Sequence, residues 1–90
     1  MPETAILTVH LDIALAATLR LAAEVARLDP TFLPRKDEES FEQWVTRMAV
    51  SMVEVYVQQV YAPGQDRAQC EHDIHAALHR LNPAHIIPPP

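Results

Sequence analysis

Ninety residues make one small domain with a marginal core, because so short a chain buries only about 60% of the surface it exposes when unfolded. At 49% hydrophobic and 21% charged it is too apolar for a disordered chain, and its net charge of −5 lacks the basic footprint of a nucleic-acid binder. The single cysteine excludes an internal disulfide and fits a reducing compartment.

Proline placement divides the chain. Of eight prolines none falls within 3–29, 35–62 or 64–82, and proline costs a helix interior about 3 kcal/mol, so helices are expected in these three windows. One glycine, Gly64, is too few for a fold built on tight β-turns.

The first window predicts a continuous helix over about residues 4–28, closed by Asp29-Pro30. Leu7, Leu11, Leu15, Ala22 and Val25 share one side of such a helix. Its beginning also carries a period-two pattern, with Leu7, Val9, Leu11, Ile13 and Leu15 alternating with Thr8, His10, Asp12 and Ala14. A short N-terminal strand is therefore the alternative, paired with the β-branched run around Val53, Val55 and Val57 in an α+β fold.

The second window begins on strong helix-start signals. Asp37 is one cap, followed by the negative charges of Glu38 and Glu39, and Ser40-x-x-Gln43 offers a capping box. Ser40, Gln43, Arg47, Ser51, Glu54 and Gln58 fall in one polar stripe, while apolar residues wrap about two-thirds of the circumference. Ala62-Pro63-Gly64-Gln65 ends this helix.

The third window opens on Asp66-x-x-Gln69, a further capping-box pattern, and closes at Asn82-Pro83. Cys70, Ile74, Ala77, Leu78 and Leu81 make its single apolar stripe. Residues 1–83 thus read as a helical domain, and 84–90 as a Pro-rich tail that either docks or stays mobile.

The expected fold is all-α: a long helical hairpin plus a shorter third helix. Two helices of about 25 residues and one shorter helix bury too little of this apolar surface, so pairing into a dimeric helical bundle is expected. Trp44, Met48, Met52, Val55 and Tyr56 are the candidates for self-association. His72, His75 and His79 on the third helix, with Ile86 and Ile87 of the tail, are candidates for binding a larger protein.

Chemistry-bearing patterns are sparse. Glu71, His75 and His79 stand at i, i+4, i+8, and His pairs at i, i+4 can clamp a divalent metal, so a metal-binding protein is the alternative function. Against it, one helix supplies only two well-placed ligands. Cys70 lies on an apolar stripe and reads as core. A helix-turn-helix around Gly64 would have a recognition helix carrying Arg67 and Arg80 against Asp66, Glu71 and Asp73, a poor charge balance for direct nucleic-acid contact. Glu38, Glu39, Glu42 and Glu54 read as helix-start charges and polar-stripe residues, and no pair of them is spaced for acid–base work across a cleft.

The expectation is a non-enzymatic interaction module, a small acidic adaptor, regulator or inhibitor, without cofactor. The opening Met1-Pro2-Glu3-Thr4 is no basic leader, and no uncharged apolar run reaches about 18 residues, which points to the cytoplasm and away from membranes. The Ala-, Leu-, Arg- and Pro-rich composition is bacterial in character.

Overall fold

A computed structural model describes residues 2–61 and 66–89. Four α-helices follow in order: α1 (Pro2–Leu28), α2 (Phe41–Tyr56), α3 (Arg67–Leu81) and α4 (Pro83–Ile86), with a π turn (Val57–Tyr61) extending α2. The described residues contain no strand, so the α+β alternative is overturned. The period-two pattern at residues 7–15 gives way because Leu11, Leu15 and Leu19 also fall one helical turn apart, and that face is the one packed inward. The 62–65 connection lies outside the described residues.

At about 1.5 Å per residue, the 27 residues of α1 account for about 40 Å, close to the 41 Å long axis of the molecule. Leu11, Leu15, Leu19, Ala22, Ala23 and Ala26 line its buried face. The three alanines let other helices approach closely. α2 runs antiparallel to α1: the Arg27 guanidinium lies 5.9 Å from the Phe41 ring at one end, and Tyr56 lies beside His10 and Ile13 at the other. The expected hairpin is present.

α2 starts at Ser40, not at Asp37. The Gln43 amide donates to Ser40 Oγ at 3.1 Å and the Ser40 amide donates to Gln43 Oε1 at 2.9 Å, a complete capping box. Asp37 instead sits inside a turn closed by the Glu39 amide donating to the Lys36 carbonyl. The α3 pattern is only half realised. Asp66 caps the Ala68 amide at 3.3 Å, but Gln69 turns away and donates to Asp73.

Asn82 ends α3 at φ 54°, the one positive φ on a non-glycine residue among those described. Asn tolerates this left-handed conformation better than most residues, and Pro83 at the first position of α4 needs no amide hydrogen there. The chain therefore turns sharply and α4 folds back on the body. Ile87 is buried in the same core as Leu15, Val45 and Ile74. Arg27 Nη2 donates to the Pro88 and Pro89 carbonyls at 3.4 and 2.9 Å. Residues 84–89 are thus docked, and the segment read from sequence as a tail contributes to the core.

The buried residues form one apolar cluster drawn from α1, α2, α3 and the tail. Among the described residues, two ion pairs join α3 to α1 and α2. Arg80 reaches Asp12 in a two-pronged contact of 2.7 and 3.2 Å between α3 and α1, and Arg67 joins Glu54 at 3.3 Å between α3 and α2.

Candidate functional site

A groove of about 450 Å³ runs between the outer side of α2 and the α3–α4 junction. Its α2 wall is Glu42, Gln43, Thr46, Arg47, Val50 and Ser51. Gln43, Arg47 and Ser51 belong to the polar stripe visible in the sequence. His75 and Leu78 of α3, with Pro83, make the other wall. Val50, Leu78 and Pro83 supply apolar surface beneath hydrogen-bonding side chains. Apolar lining with a few placed polar groups is the usual composition of a recognition groove.

Local chemistry fixes the α2 wall. Arg47 Nε donates to Glu39 Oε2 and Nη2 to Glu39 Oε1, both at 2.8 Å, and Nη2 also donates to the Pro34 carbonyl at 2.7 Å. The Arg47 hydrogen bonds hold the Glu39 carboxyl down at about 2, helped by the Lys36 backbone amide, with burial opposing. Glu39 in turn pushes the Arg47 guanidinium up. The 29–40 connection is pinned to α2 by two further contacts. Trp44 Nε1 donates to the Leu33 carbonyl at 2.7 Å, and the Arg35 guanidinium stacks 5.6 Å from the Trp44 ring centre.

The side chains singled out in the sequence are dispersed. Trp44 and Met48 are buried in the chain's own core and Met52 is half-buried, so they do not form an outward seam for a second copy. They belong to the one apolar cluster that α1, α2, α3 and the tail share, and periodicity alone could not show that sharing. Val55 and Tyr56 do remain exposed. Of the three α3 histidines, all exposed, only His75 lines the groove. Ile86 is half-buried and Ile87 buried, which turns them from an outward surface into packing for the body.

Glu71, His75 and His79 do lie along one exposed side of α3. From the first to the third is about 12 Å of helix, too far for three side chains to converge. Among the described residues no group of three or more His, Cys, Asp and Glu is placed to hold a metal ion. The expected Glu/His metal cluster is therefore not assembled. Cys70 is buried as its stripe implied. Burial pushes its thiol up, and the negative charges of Asp73, Glu54, Asp66 and Glu71 add to that.

Sequence reasoning did not single out Glu42, Thr46, Val50, Leu78 or Pro83 as members of a site. The polar stripe of α2 was a signal for one wall, but which helix faces it is a tertiary fact. No described helix is long and apolar enough to cross a membrane. Compared with protein-family models, curated proteins and solved structures, the chain matches none of them.

Proposed function

We propose that the chain is a non-enzymatic protein-interaction module, a small acidic adaptor, regulator or inhibitor that takes a segment of a larger protein into the groove between α2 and α3. The groove itself carries the reading: an apolar floor of Val50, Leu78 and Pro83 under a rim of Gln43, Thr46, Ser51 and His75 suits side chains and backbone of a peptide segment. Arg47 is already held by Glu39 and Pro34, so this wall of the groove is ordered before a segment binds and little side-chain entropy is lost there. A non-enzymatic role is supported by Cys70, whose buried and protonated thiol is a poor nucleophile.

The test is affinity capture from native-host lysate with the wild type and a Thr46→Arg, Ser51→Arg variant, which crowds the groove from half-buried and exposed positions. One protein retained near one-to-one by the wild type and lost by the variant, with the circular dichroism spectrum unchanged, is the expected result. Retention of no protein, or equal retention by both forms, would overturn the proposal.

A further inference from the structure

The outward side of α1 carries two large apolar side chains in full view of solvent, beside the charged Arg20 and Glu24. Ile13 is 62% exposed and Leu21 is 54% exposed. Ala17, also exposed, lies midway between them. At 100° per residue Ile13, Ala17 and Leu21 fall within about 80° of one another, opposite the buried Leu15, Leu19 and Ala22. A hollow of about 320 Å³ opens beside Ile13, lined by His10, Ile13, Ala14 and Tyr56.

We infer that this face binds a second copy of the chain, the two α1 helices crossing antiparallel about a two-fold axis at Ala17. A two-fold interface must carry knob and hole on the same patch, each serving the other copy. This patch does. With the axis at residue 17, each position meets the one equally far on the other side, so Leu21 of one copy lies over the region of residue 13 in the other. The angular offset of Leu21 from Ala17 places it on the side where His10 and Ala14 lie. His10, Ile13, Ala14 and Ala17 are spaced i, i+3, i+4, i+7, the four corners of a hole that receives one knob in packed helix pairs. Tyr56 from α2 walls the outer edge of that hole.

The crossing point is a small residue, which lets the helices approach closely. Charge agrees as well. The same operation sets Glu24 of one copy against His10 of the other, and an imidazole N–H donates to a carboxylate whether the ring is neutral or charged. Glu24 Oε1 is held by Arg27 at 2.8 Å, and Oε2 is the atom this contact would use. The seam differs from the Trp44–Met48 seam expected from the sequence, and it shares no residue with the groove between α2 and α3.

Contacts confined to one helix pair bury little area and bind weakly, so sedimentation should span from about 1 µM to about 500 µM. The wild type is expected to rise from 10.1 kDa toward twice that mass over this range. Leu21→Glu, at an exposed position, should stay at the single-chain mass throughout with unchanged helicity, while Thr46→Arg, Ser51→Arg should associate like the wild type. An Ala17→Cys, Cys70→Ala variant should be joined to its own copy by a short bismaleimide, and a Leu28→Cys, Cys70→Ala variant should not. A wild type that remains single at every concentration overturns the inference, as does pairing that survives Leu21→Glu. A single-chain wild type whose lysate partner is lost by Leu21→Glu also overturns it, assigning the face to another protein. Loss of a partner through the groove variant alone bears only on the groove, so the two readings fail separately.

Discussion

Arg47 grips Glu39 with two hydrogen bonds of 2.8 Å, joining a loop carboxylate to the second turn of α2 across eight residues of sequence. The same guanidinium reaches the Pro34 carbonyl, so one side chain holds both ends of the 34–39 segment against the helix. This clamp fixes one wall of the groove and gives the fold its clearest titratable contact.

Glu39 is lowered from its ordinary 4.5 to about 2 in the folded chain. A depressed carboxyl stabilises the fold above its unfolded pKa and loses that contribution as pH falls through the folded one. The clamp should therefore weaken between pH 4.5 and 2. In a titration followed by carboxyl carbon resonances, Glu39 should have its midpoint at about 2, and Arg47→Gln should return it toward 4.5. A Glu39 midpoint near 4.5 in the wild type would refute the clamp.

Cys70 is buried in the common apolar cluster and its thiol is pushed up by that burial, so it should resist thiol reagents in the native state. Labelling should proceed at the rate of unfolding and accelerate in urea. Rapid labelling of native protein at pH 7 would place Cys70 at the surface and contradict the packing of α3.

The turn between α3 and α4 rests on Asn82 at φ 54°. Asn82→Ala should cost about 1 kcal/mol, because an alanine Cβ is crowded in that region, whereas Asn82→Gly should fall within a few tenths of a kcal/mol of the wild type or be more stable. Urea unfolding of the two variants separates them. Equal stability of the Ala and Gly forms would mean the turn adopts another conformation.

Docking of the final segment depends on Ile87 more than on Arg27. Ile87→Ala should cost about 2 kcal/mol, since the residue fills part of the common core. Arg27→Ala, which removes exposed hydrogen bonds to the Pro88 and Pro89 carbonyls, should cost less than about 1 kcal/mol. Hydrogen exchange at the Ile87 amide, which donates to the Pro83 carbonyl, should quicken in the Ile87→Ala form. Fast exchange there in the wild type would show the segment undocked.

Local rules wrote the helices into the sequence. Proline positions bounded α1, α2 and α3, the Ser40–Gln43 box started α2, and the Cys70–Ile74–Ala77–Leu78 stripe identified the buried side of α3, because each depends on neighbours within one or two turns. Tertiary structure decided what faces what. The helical wheel marks Trp44 and Met48 as candidates for self-association, whereas the folded chain buries both in its own core. The sequence left open whether the segment after Pro83 docks. Asn82 turned it back, and Ile87 filled core space that only the three packed helices create. His75 was one of three equivalent histidines until the α2 polar stripe came to rest opposite it, because burial and apposition are set by residues tens of positions apart in the chain.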